Sequence, residues 1–87
     1  MAHSDKRKVS VMIFGEPYVV LGTDDPRYIE RLAALVDKKM RLIAQRNPRL
    51  TTTKVAVLTA LNMADEFSKV KEEQQALAKL LEDEKDI

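Results

Sequence analysis

The residues able to do chemistry are few, and their spacing argues against most of it. Asp24 and Asp25 are adjacent carboxylates, a pairing that elsewhere can hold a cation. Here "GTDDP" places Asp25 directly before Pro26, at the start of an apolar-periodic run. An aspartate in that position caps a helix and meets the positive end of its dipole, so capping is the reading adopted. The one histidine, His3, lies in a polar N-terminal stretch and reads as a solvated tail residue. There is no cysteine, which excludes disulfides and thiolate metal ligation. Gly15 and Gly22 stand seven apart and make no phosphate-cradling loop. No nucleophile stands in a pattern with a base. The expectation is a protein that is not an enzyme, with no cofactor, no metal and no small-molecule substrate.

Binding chemistry is the alternative. Three basic clusters offer it: Lys6-Arg7-Lys8 near the N-terminus, Lys38, Lys39 and Arg41 in a helical stretch, and Arg46, Arg49 and Lys54 around "NPRL". The last is favoured, because a loop exposes its side chains and a rigid helix on each side holds them in place. Charge is divided along the chain. Positions 1–54 hold 11 Lys/Arg and 6 Asp/Glu, giving +5, while positions 55–87 hold 4 and 8, giving −4. A basic front suits an acidic partner.

The elements that position these residues follow from periodicity. Residues 1–7 read as a disordered arm. "KVSVMIF" alternates, with Val9, Val11 and Ile13 on one face and Ser10 on the other, which is strand spacing. Gly15-Glu16 offers a two-residue hairpin turn, and "YVVL" is the second strand, with Pro17 at its start or on an edge. A helix is predicted from about Pro26 to Gln45. Its stripe is Ile29, Leu32, Val36, Met40 and Ile43, widened by Tyr28, Leu35 and Leu42. Pro48 ends it, by disfavouring helical geometry at Asn47. Thr52 or Thr53 then caps a second helix that runs without proline or glycine to about Asp86, a rod of roughly 50 Å. The fold class expected is α+β. Residues 8–54 form a head of one hairpin and one helix, and residues 55–87 form a long helix that completes the head and leaves it as a stalk.

That long helix has more apolar surface than so small a head can cover. Ala60, Met63, Phe67, Val70, Gln74, Leu77 and Leu81 recur in alternating steps of three and four, the a and d positions of a heptad seam. Met63, Phe67, Val70, Gln74, Leu77 and Leu81 are therefore the predicted oligomer interface. Gln74, a polar residue in the seam, fixes register and copy number at some expense in stability. Glu66 at g and Lys71 at e would attract across a parallel dimer. Leu80, beside Leu77 and Leu81, broadens the seam toward a higher assembly. A chain of 87 residues without disulfides or metals is marginal alone, and oligomerisation is the remedy left. Leaving such side chains wet would forgo about 1.5–3 kcal/mol each.

"VSVMIFGEPYVV", followed by "IERLAALVDKKMRLIAQRNPRLTTTKVAVLTALNMADEF", resembles the ZapA family of bacterial cell-division proteins, which bind the tubulin-like FtsZ. The stretches that carry the likeness are "IFGEPY", "VDKKM", "NPRLTTTKVAVL" and "ALNMADE", in order, between about Lys8 and Glu73. The resemblance implies a small head on a coiled-coil stalk, a homodimer able to pair into a homotetramer, and cross-linking or bundling of FtsZ protofilaments at the division septum. Arg49 falls in the family's "NPRL"-like turn. The alternatives are a small nucleic-acid-binding protein using the basic head and a coiled-coil adaptor for another protein. Few aromatics, no base-reading motif and an acidic rear weigh against nucleic acid. No stretch approaches the roughly 18 apolar residues of a membrane span, and "MAHSDKRK" is too polar for a secretory signal. Both points favour a cytoplasmic protein without membrane insertion.

Overall fold

The computed structural model describes residues 6–85. Strand β1 (Arg7–Ile13) pairs antiparallel with β2 (Glu16–Gly22), and helices α1 (Pro26–Arg46) and α2 (Thr52–Lys85) follow. This is the α+β architecture of one hairpin, one helix and one long helix. Residues 1–5 of the expected arm lie outside the described residues, and Arg7 already belongs to β1.

The hairpin turn is Phe14-Gly15, not Gly15-Glu16. Phe14 has φ 52° and Gly15 φ 79°, the positive pair of a type I′ turn, and Ile13 faces Glu16 across it. Proline decides the matter. The residue after a two-residue loop must donate its N–H to the residue before it. A Gly15-Glu16 loop would give that task to Pro17, which has no N–H. Shifting the loop back one residue gives it to Glu16. Pro17 then faces Met12, a pair without ladder hydrogen bonds.

Val9 and Val11 are buried against Ala33 of α1, with Ile13, Val20 and Ile29 packed around them. Ala33 was not among the predicted stripe residues. Its small side chain lets the helix approach the sheet closely. Asp25 caps α1 as expected, its Oδ1 accepting from the Arg27 N–H at 2.9 Å, with Pro26 in the first turn. Asn47 ends the helix by donating its own N–H to the Ile43 carbonyl at 3.1 Å.

α2 is capped by Thr51, one residue before the predicted candidates. Thr51 Oγ1 accepts from the Lys54 N–H at 3.2 Å, and the Thr51 carbonyl accepts from Val55 at 2.9 Å. In a run of three threonines, only the first has its hydroxyl three residues ahead of an otherwise orphan N–H. α2 packs chiefly on α1. Met40, Val55 and Thr59 are the buried residues of the two helices outside the hairpin cluster, and Val55 keeps only 1% of its surface. The Thr59 hydroxyl donates to the Val55 carbonyl at 2.7 Å, so its burial leaves no donor unpaired.

The molecule measures 55 × 46 × 16 Å and is thin in its shortest dimension. Among the described residues five apolar side chains are buried, while sixteen large ones stand exposed. One copy is thus mostly surface. The hairpin face turned away from α1 carries Met12, Val19 and Leu21 into solvent.

Candidate functional site

The connection between the helices is tight. The Leu50 N–H reaches back to the Asn47 carbonyl at 3.2 Å, and the Asn47 side chain also donates to the Ile43 carbonyl. Pro48 stands between these anchors. Arg46 and Arg49 line one depression of about 380 Å³, with Asn47, Pro48 and Leu50 completing its wall. The structure therefore brings together two of the three predicted basic residues. Lys54 does not line the depression. It is exposed one turn into α2.

The other basic clusters fare differently. Lys39 Nζ donates to Glu66 Oε1 at 2.6 Å, an ion pair that spans the angle between α1 and α2. Arg41 Nε donates to Asp37 Oδ2 at 2.9 Å. Two of the three cations of the α1 cluster are thus engaged within the chain, and Lys38 is left exposed. Lys6, Arg7 and Lys8 are exposed around the start of β1. Glu66 is held by Lys39 within its own chain, so the predicted attraction to Lys71 of another copy has a competitor.

Asp37 is the residue that sequence reasoning missed. By spacing alone it reads as one of the charges on the helix away from the apolar stripe. In the structure Asp37 Oδ1 accepts from the Phe14 N–H at 2.7 Å. Arg41, one turn on, holds its other oxygen, and the Arg41 guanidinium lies 6.0 Å from the centre of the Phe14 ring. The hydrogen bond from Arg41, then that from the Phe14 N–H, holds the Asp37 carboxyl below its ordinary value of 3.8. A left-handed conformation at a residue with a side chain costs roughly 1–2 kcal/mol. The captured N–H offsets that strain and ties the turn to α1. One signal was available. Asp37 lies four residues after Ala33, so it shares the sheet-facing side, where a charge needs a partner.

The predicted seam is displayed along α2. Met63 is half-buried, and Phe67, Val70, Gln74, Leu77 and Leu81 are exposed, as is Leu80. Phe67 keeps 69% of its surface. Asn62 and Asp65 carry two readings, a buried lock between head and stalk or plain surface polarity. Both are exposed, and Asp65 pairs with Lys69 at 3.0 Å, which favours the plainer one. They border an open cleft of about 500 Å³ with Ile43, Leu58 and Leu61 on its walls. No group of His, Cys, Asp and Glu suited to a metal ion occurs among the described residues. No helix in them is long and apolar enough to cross a membrane.

A small α+β head with an uncovered helical rod, and arginines at the elbow between them, defines the structural class of the protein. The comparisons narrow it. The family model described as cell division protein ZapA matches residues 9–86. A cell division protein ZapA of Geobacillus thermodenitrificans is 47% identical over 98% of this chain and 93% of its own length. Another from Geobacillus sp. is 43% identical over 99% of both chains. A solved structure, a ZapA mutant dimer from Geobacillus stearothermophilus, superposes with a TM-score of 0.73. It is 41% identical, with 94% of this chain and 95% of that one covered. The chain belongs to the ZapA family of cell division proteins.

Proposed function

We propose that this chain is a non-enzymatic cell-division factor that pairs with a second copy through α2 and cross-links FtsZ protofilaments. The observation that carries the reading is the uncovered seam of Phe67, Val70, Leu77 and Leu81 on a helix of 34 residues. A stripe of that kind is stable in water only when another helix lies on it. A relative of known structure is described as a dimer, which supports pairing here. Leu80 widens the stripe enough to favour a tetramer of two such pairs.

FtsZ as the partner rests on the family. The contact we assign to it is the elbow, with Arg46 and Arg49 lining one hollow and Lys54 as an outlying cation, meeting acidic FtsZ surface. Each contact is weak alone. A dimer carries two copies at fixed spacing, and a filament presents repeated targets, so the second contact gains by effective concentration. No energy source is required. The place of action is the cytoplasm at the division septum.

Co-sedimentation with polymerised FtsZ tests the reading. The wild-type chain should pellet with filaments and bundle them. Arg49→Glu should lower the pelleted fraction severalfold while sedimentation equilibrium still reports the wild-type oligomer. Unchanged pelleting would remove Arg49 from the contact. Absence of wild-type pelleting would remove FtsZ as the partner.

A further inference from the structure

The elbow depression has a neighbour. A second hollow of about 370 Å³ is lined by Phe14 of the hairpin turn, Arg41, Ala44 and Gln45 of α1, and Pro48 of the elbow. Pro48 borders both hollows. The two together carry Arg41, Arg46 and Arg49 and no acidic lining residue. The second hollow differs from the first in having an aromatic wall, and that wall is placed there by a strained turn. Phe14 takes φ 52° although glycine or asparagine would do so more easily. Asp37 holds the turn by its N–H, and Arg41 lies over the ring. Backbone strain kept in place by a dedicated hydrogen bond is a pointer to a used surface.

We infer that the Phe14–Pro48 hollow is the second half of the partner-binding face, and that it takes one apolar side chain from an acidic protein segment. The inference rests on the reading of the elbow as the FtsZ contact, and extends it from a charged patch to a two-part site. Charge complementarity selects the occupant. Arg46 and Arg49, in a hollow without a lining carboxylate, favour acidic groups beside the inserted side chain, whereas Arg41 is already engaged by Asp37. Phe14, Ala44 and Pro48 supply apolar walls. A nucleic-acid base would need an open ring face to stack on. The Arg41 guanidinium already stands 6.0 Å from the centre of the Phe14 ring.

The test removes the ring without disturbing the turn. Phe14→Asn creates Asn-Gly, the favoured pair for this turn type, so the hairpin should persist by circular dichroism. Its binding to polymerised FtsZ should fall roughly tenfold, the scale of an interface anchor. Gln45→Glu and Gln45→Lys change an exposed helix position on the rim. The first should weaken FtsZ binding and the second should keep or strengthen it, with helix content and melting midpoint read in parallel, because the dipole at the last turn of α1 also disfavours Glu and favours Lys. If Phe14→Asn binds like wild type while Arg49→Glu does not, the hollow is overturned and the elbow contact stands. If the wild-type chain fails to bind FtsZ, both fall. If Phe14→Asn and Gln45→Glu instead lose affinity for a labelled DNA duplex with FtsZ binding intact, the choice of a protein segment is overturned.

Discussion

The bond between Asp37 and Phe14 joins residues 23 positions apart, and the chemistry of the carboxylate makes the joint sensitive to acid. Its folded-state carboxyl titrates below the ordinary 3.8 that it has in the unfolded chain. Stability from the carboxylate is therefore complete well above pH 3.8 and declines as pH falls toward the lower folded value. Thermal melting of wild type should lose midpoint across that interval. Asp37→Asn keeps an acceptor for the Phe14 N–H but loses the charge that Arg41 faces. Its midpoint should be lower at neutral pH and its acid decline flatter. A parallel acid decline in the two proteins would assign the pH dependence to other carboxylates. The cap at Thr51 is a second single-residue test. Thr51→Ala should cost about 1 kcal/mol, whereas Thr52→Ala and Thr53→Ala, whose hydroxyls are not the cap, should cost less. Equal losses at all three positions would contradict the hydrogen-bond assignment.

These residues also mark what could be read in advance. Asp25-Pro26 and the alternation of Val9 and Val11 are local signals, and both elements formed where predicted. The turn was misplaced by one residue, yet Pro17 held the information, because a proline cannot donate across a hairpin. Thr51, Thr52 and Thr53 are chemically alike, so the capping residue depends on where the helix axis starts. The Asp37–Phe14 bond and the Lys39–Glu66 pair are contacts across 23 and 27 positions, and although the place of Asp37 on its helix signals that it needs a partner, no local pattern names the partner. Arg46 and Arg49 are close in sequence, and their shared hollow follows from the brevity of the loop.

At the scale of elements, the angle between α1 and α2 matters most, since it sets where the arginines stand relative to the rod. Two features hold it, the burial of Met40 on α1 and Val55 on α2 and the bridge from Lys39 to Glu66. Their weights differ. Glu66 is half exposed, and ion pairs in such settings contribute about 0–1 kcal/mol. Truncating a buried methionine costs about 2–5 kcal/mol. Met40→Ala should therefore lower the thermal midpoint far more than Lys39→Ala. The opposite order would make the bridge the main brace. The seam is the other element-scale property. Phe67→Glu places a charge in the apolar stripe and should shift the chain to monomer in sedimentation equilibrium. If that variant still bundles FtsZ, bivalency is the wrong mechanism.

At the scale of the whole molecule, folding and pairing are expected to be one process. Five buried apolar side chains among the described residues are a slight core. When pairing stabilises the folded form, mass action makes the melting midpoint rise with protein concentration. Wild type should show that rise over a hundredfold dilution series, and Phe67→Glu should not. A concentration-independent midpoint in wild type would mean that one copy is stable by itself.

The thinness of the single copy reaches beyond the test tube. A chain fresh from the ribosome has little to hide until it meets a sister, and cellular proteases act on such opened species. Turnover should then fall as synthesis rises, and a seam-broken variant should be short-lived at any expression level. Abundance would be governed by encounter between newborn chains, with degradation clearing those left solitary.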